Sequence, residues 1–241
     1  MSRTLGRIAF FGLGIGFVSL ALAYTLGGRD SYRMFDHHDL FAWHGCGGEA
    51  TGSGERRLTW NGGDTIDIAV PARVRFRGGE GNEILLRGAP DLIGHVELRG
   101  SRLFLDCRSG TRAVEITLPG RAFRRINLSG WAQLDMENLD QPELAINISG
   151  SGNLRGQGSV DRLTLHVSGS GDAKLGDLAV KQLAVKISGS GNVEAAPKDE
   201  ADVKISGSGS VRLLTRPAHL RSHVSGSGRI TQVAEATDTK K

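Results

Sequence analysis

The chain has 241 residues, 39% hydrophobic and 5% aromatic, with 35 glycines and a formal net charge of +4. The charge is small and spread along the chain, which excludes the basic stripe of a nucleic-acid binder. With so many glycines and so few aromatics, the pattern in which the aliphatic residues recur carries the structural information.

Arg3 and Arg7 precede an apolar run from Ile8 to Leu26, and no further charge follows until Arg29. A basic start followed by such a run is an export segment. Ala21-Leu22-Ala23 provides a small-x-small cleavage site, so residues 1–28 fit a removable signal peptide. The 19-residue run also suffices for a retained membrane-spanning anchor. Both outcomes place the rest of the chain outside the cytoplasm. It is either anchored in the inner membrane facing the periplasm, or periplasmic or secreted after cleavage behind Ala23.

Residues 29–57 are polar and Gly-rich and read as a spacer. His37, His38, His44 and Cys46 fall here, in a spacing that matches no established metal site, so no metal or other cofactor is expected.

Strand signals resume at Leu58. Ile66, Ile68 and Val70 alternate before Pro71, and Val74 and Phe76 before Gly78. Val96 and Leu98, then Leu103, Leu105 and Cys107, then Val114, Ile116 and Leu118 do the same. Gly78-Gly79, Gly100-Ser101 and Pro119-Gly120 supply the turns. These segments read as early, less regular coils of the structure that follows. Cys107 continues the inward phase of Leu103 and Leu105, so a buried free thiol is the simpler reading than a pair with Cys46.

From Arg124 to Ile230 one motif occurs six times: an aliphatic residue, Ser-Gly, usually a second Ser-Gly, then a polar and an aliphatic residue. The copies begin at Ser129, Ser149, Ser168, Ser188, Ser206 and Ser225, at spacings of 20, 19, 20, 18 and 19. Such a period marks a solenoid. Before the serines, Leu128, Ile148, Val167, Ile187, Ile205 and Val224 alternate with further aliphatics two and four places earlier, so each segment is a strand with one buried face. The misfits Arg124 and Ser222 lie in the first and last copies, where an end of the stack is expected. Gly150, Gly152, Gly169, Gly171, Gly189, Gly191, Gly207, Gly209, Gly226 and Gly228 then act as corner glycines, and continued alternation points both glycines of each copy inward. Residues 58–232 therefore form one all-β domain, and 233–241 a polar, frayed tail.

Facing outward two places before each serine stand Asn127, Asn147, His166, Lys186, Lys204 and His223. Stacking makes them one polar column with a step of about 4.8 Å. Gln133, Asn153, Asp172, Asn192, Ser210 and Arg229 line up beyond the corner. Amides and cations in a ladder suit an extended acidic or hydroxyl-rich polymer, although the same ladder serves as a solvated face that keeps the rod soluble. Trp131, in place of the second serine, reads either as a carbohydrate-stacking aromatic or, the favoured reading, as a cover for the junction with the earlier coils. The serines do not match a nucleophile motif, and one would not recur six times without bases. Charges are scattered along the sequence, without the cluster a polysaccharide-cleaving site requires.

The repeated Ile/Val-Ser-Gly-Ser-Gly run, following Ile66-Asp67-Ile68-Ala69-Val70-Pro71 and Val114-Glu115-Ile116-Thr117-Leu118-Pro119, resembles the bacterial head GIN domain of auto-transporter adhesins. The resemblance implies a right-handed parallel β-helix exported to the cell envelope, and it supplies no catalytic residues. The expected function is a non-enzymatic envelope module that binds a protein or polysaccharide, with a membrane-tethered regulator and a polysaccharide-cleaving β-helix as alternatives.

Overall fold

A computed structural model of the chain describes Gly45, Cys46 and residues 52–233. The export run at 8–26, His37, His38 and His44 lie outside the described residues. Those described belong to one compact unit, His44–Lys241.

Strands β1 (Gly54–Thr59), β2 (Thr65–Ala69), β3 (Ala72–Arg77) and β4 (Glu83–Gly88) lead to a short helix, α1 (Pro90–Gly94). Next come β5 (Val96–Arg99), β6 (Arg102–Leu105) and β7 (Val114–Thr117). The repeats then supply β8 (Arg125–Gly130), β9 (Ala132–Gly150), β10 (Asn153–Gly169), β11 (Asp172–Gly189) and β12 (Asn192–Gly207). The last coil carries β13 (Ser210–Leu213) into β14 (His219–Gly226) and β15 (Arg229–Gln232).

The repeats form an all-β solenoid. Each strand lies parallel on the one before, with serine over serine: Ser149 meets Ser129 and Ser168, Ser188 meets Ser168 and Ser206, and Ser206 meets Ser225. Ile146, Leu165, Val185 and Val203 fill the axis at 0–2% exposure. Full burial of each such side chain contributes about 1.5–3 kcal/mol, so identical coils add up to a stable stack.

The early strands join this stack, but not in chain order. β2 and β3 stack directly on β8 and β9. β6 and β7, later in the chain, lie outside β2 and β3. The chain therefore leaves the stack after β3, returns to build the next coil outward, and crosses back to start β8. β4 and β1 pair antiparallel beyond β7, and β5 pairs antiparallel with β6 through Gly100, whose φ of 61° suits a tight hairpin. Of the less regular early coils expected, the structure has two, β2–β3 and β6–β7, stacked out of chain order. It adds an antiparallel cap that the alternating pattern does not reveal, because alternation does not distinguish parallel from antiparallel pairing. Arg124 therefore does not mark an end of the stack, because β2 covers β8. It is exposed at the strand entry, beside Asp64 and Glu143.

Trp60 and Phe76 each pack edge-on against Phe123 at 5.6 Å in the capped end. Arg56 reaches the carbonyls of Ile93, Gly94 and Val96 at 2.9–3.0 Å, satisfying acceptors left by the end of α1.

Cys46 and Cys107 form a disulfide, which corrects the reading of Cys107 as a free buried thiol. β6 ends at Leu105, so the strand phase does not continue to Cys107. Gly45 instead pairs with Arg108, and the Cys46 N–H donates to the Arg108 carbonyl at 3.1 Å, bringing the two cysteines together. Arg112 fastens the same spot, donating to the Cys46 carbonyl and to Asp91, both at 2.6 Å.

The Arg112 guanidinium holds the Asp91 carboxyl below the usual carboxylate range. A lowered folded value stabilises the fold above the unfolded value of about 4, and this stabilisation is lost as pH falls through the lowered value. Asp91→Asn is expected to lower the denaturation midpoint at pH 7. Its difference from wild type should shrink below about pH 4. A difference independent of pH would remove the ion pair as its cause.

Candidate functional site: a trough along one sheet face

Strand alternation gives the coils' outer face parallel columns two residues apart. The expected polar column is present and in register: Asn127, Asn147, His166, Lys186, Lys204 and His223 follow one another across the coils. It extends beyond the repeats through Asp67 and Arg102. The column divides in character. Asn127 donates to Asp67, and Asn147 donates to the Asn127 oxygen at 2.6 Å, so the amide end is tied to itself. The other end is exposed at His166, Lys186, Lys204 and His223 and carries its charge on the two lysines, with Lys204 3.2 Å from Asp202.

Two neighbouring columns went unnoticed in the sequence. Four places before the serines lie Ala145, Thr164 and Ala184, small and half-buried. Six places before lie Glu143, Arg162 and Gln182, longer side chains also in register. The small column is thus the floor of a shallow trough. Glu143, Arg162 and Gln182 wall one side, and Asn147, His166 and Lys186 the other. Arg125 stands over one end of the floor and Asp202 over the other. A depression lined by Asp64, Thr65, Arg124, Arg125, Glu143, Ala145, Arg162 and Thr164 opens at the capped end of this trough. Reading the repeat at these two offsets for side-chain size, and not only for hydrophobicity, would have revealed it.

The fold also gathers charges that are distant in sequence. Glu143 takes Arg162 at 2.6 Å and Arg124 at 3.4 Å, and Arg124 stands 3.8 Å from Asp64. Arg162 Nε donates to the Gln182 oxygen at 3.1 Å. Both carboxylates here are engaged by guanidiniums, while Arg125 has no ion-pair partner among the described residues and faces the opening.

The column beyond the corner is in register too, from Gln133 to Arg229. It is bonded in its middle: Asn192 donates to Asp172 at 2.9 Å and Ser210 to Asn192 at 2.6 Å, so these three side chains tie successive coils together. Trp131 is 42% exposed, and its carbonyl accepts the Ala72 N–H at 3.4 Å where β3 meets the repeats. His95, Asp106 and Cys107 offer metal-capable atoms within 4.8 Å, but the Cys107 sulfur is held in the disulfide.

The corner glycines differ from the expectation in one respect. Gly152, Gly171, Gly191 and Gly209 are buried, whereas Gly169, Gly189 and Gly207 sit at the bend, half-buried. A Cβ on Gly169 would point along the stack, 2.4 Å from the Gly150 carbonyl oxygen. The sharp bend takes the first glycine of each copy out of the strand phase.

The family model described as "Putative auto-transporter adhesin, head GIN domain" matches residues 64–217, well over half of the chain. The chain belongs to this family. No curated protein matches the chain in sequence. A crystal structure of a "putative adhesin" from Bacteroides fragilis is similar over 76% of this head GIN chain and 98% of its own, with a TM-score of 0.58 and 16% identity. Another "putative adhesin", from Parabacteroides merdae, covers 76% and 97% with a TM-score of 0.43 and 15% identity. At such identity the Bacteroides likeness shows the head GIN fold alone.

Proposed function

We propose that this head GIN domain is a non-enzymatic binding module of the cell envelope, exported by its leader, that holds an extended acidic or hydroxyl-rich polymer in the trough. The winding is taken as right-handed, and residues 8–26 as the tether when the leader is retained. The observation that carries the reading is the registered trough: a floor of Ala145, Thr164 and Ala184 between a mixed-charge wall and an amide-to-lysine wall. Its step of about 4.8 Å sets side chains at a regular spacing along an extended chain, with the amide, histidine and lysine of one wall meeting successive units in turn. Small floor residues let the chain lie against the sheet, while the exposed lysines of the column address carboxylates and hydroxyls. Binding suits the gathered charges better than cleavage, since Glu143 and Asp64 are already engaged by arginines. Family membership supports the same reading.

Lys186→Glu with Lys204→Glu tests it. Both side chains are exposed, so the fold should survive with its melting temperature nearly unchanged. Affinity for a polyuronate should fall at least about tenfold, while a neutral glucan is affected less. No unsaturated chain ends should appear on prolonged incubation. Unchanged polyuronate binding would eliminate the trough, and chain cleavage would replace the binding reading with an enzymatic one.

A further inference from the structure

The two ends of the solenoid are finished differently. At the amino-terminal end β5, β4, β1 and α1 cover the outermost coil. At the other end, among the described residues, β14 pairs only with β12, and β15 only with β13. Their far edges, with alternate backbone N–H and C=O groups, meet no strand among the described residues. Leu220 and Val224 are 38% and 39% exposed, although their equivalents one coil back, Ala201 and Ile205, are at 0% and 1%. A free edge beside uncovered inward residues is where an added strand gains both ladder bonds and burial.

The charges on this rim say what would add. From Ala218 to Val233 the ionisable residues are Arg221, Arg229, His219 and His223, with no carboxylate. The stack places opposite charges on successive coils, as in Arg162 on Glu143 at 2.6 Å and Lys181 on Asp161 at 2.8 Å. At the rim Arg221 is already paired with Glu200 one coil back at 3.2 Å, which leaves Arg229, among the described residues, as the rim's unpaired guanidinium. Arg229 lies over Ser210 and has no carboxylate partner among the described residues. A second copy of the rim would bring cations against cations. A strand with aliphatic residues inward and carboxylates outward would continue both patterns. We propose that the carboxy-terminal rim is a strand-addition site for an extended acidic segment of a partner protein. The site is separate from the trough and does not depend on it.

The test uses the full-length chain in detergent and three fluorescent peptides read by anisotropy. One is Glu-Val-Glu-Ile-Glu-Val-Ser-Gly. The second replaces each Glu with Lys, and the third replaces the central Ile with Pro. The acidic peptide should bind at least about tenfold more tightly than either control. Val224→Asp should abolish that binding in a protein that remains folded, whereas Lys186→Glu, two coils back from the rim, should leave it intact. Should Val224→Asp fail to fold, the exposed Arg229→Glu takes its place with the same expected loss. Equal binding of the acidic and Lys peptides would overturn the proposal, as would binding that survives the rim substitution. A concentration-dependent dimer by light scattering, abolished by the same substitution, would overturn it in favour of self-pairing.

Discussion

Gly169→Val is expected to lower the unfolding free energy by about 3–5 kcal/mol, whereas Ser170→Ala changes it by no more than about 0.5 kcal/mol. Gly169 has a φ of 126°, where a β-branched residue is strained before any contact is counted. The added Cβ would also lie 2.4 Å from the Gly150 oxygen, which already accepts the Ser170 N–H at 3.0 Å. Neither side can yield, because Gly189 is stacked just as tightly on Gly169, its own Cβ position 2.3 Å from the Gly169 oxygen. The clash therefore passes from coil to coil. Ser170 points its hydroxyl to solvent. Urea midpoints for the two variants decide the matter, and equal shifts would refute the close-stacked glycine corner.

Breaking the Cys46–Cys107 bridge is expected to lower stability by about 4 kcal/mol, the value for closing a loop of this length in the unfolded chain. The two cysteines are 61 residues apart, and the loop encloses β1 to β6 together with α1. The loss should also be local. Without the bridge, the pairing with Arg108 and the Arg112 contact remain at Gly45 and Cys46, so amide exchange should rise there and around α1 before the repeats respond. Cys46→Ala with Cys107→Ala, compared with wild type with and without reductant, checks both parts. Identical denaturation curves with and without reductant would count against a structural bridge.

The repeats were legible because their strands alternate strictly and their corners fall at a near-constant period. From Ser129 to Ser225 the inward residues of the sequence pattern are the buried ones of the fold, with two exceptions: the open last coil, and the first glycine of each corner, which the bend takes out of phase. Chain order told less about residues 58–118. There each strand alternates correctly, but alternation is blind to its partner, so the outward placement of β6 and β7 and the antiparallel cap stayed hidden. The disulfide was missed for a related reason: Cys107 was assigned a strand phase that β6 does not reach. At the candidate site, the column from Asn127 to His223 could be read because its residues are polar. The trough could not, since it depends on Ala145, Thr164 and Ala184 being small between taller neighbours. Glu143, Arg162 and Asp64 form one charged group only because coils bring residues about a period or more apart to within ion-pair distance.

The central claim is that the trough reads a polymer, unit by unit along the coils. Affinity of the full-length chain for a polyuronate ladder, from single units to long oligomers, measures this most directly. The account predicts weak binding of the single unit, a steep rise with each added unit until the trough is spanned, and a plateau beyond it. Affinity independent of oligomer length, or equal before and after reversal of Lys186 and Lys204, would contradict it.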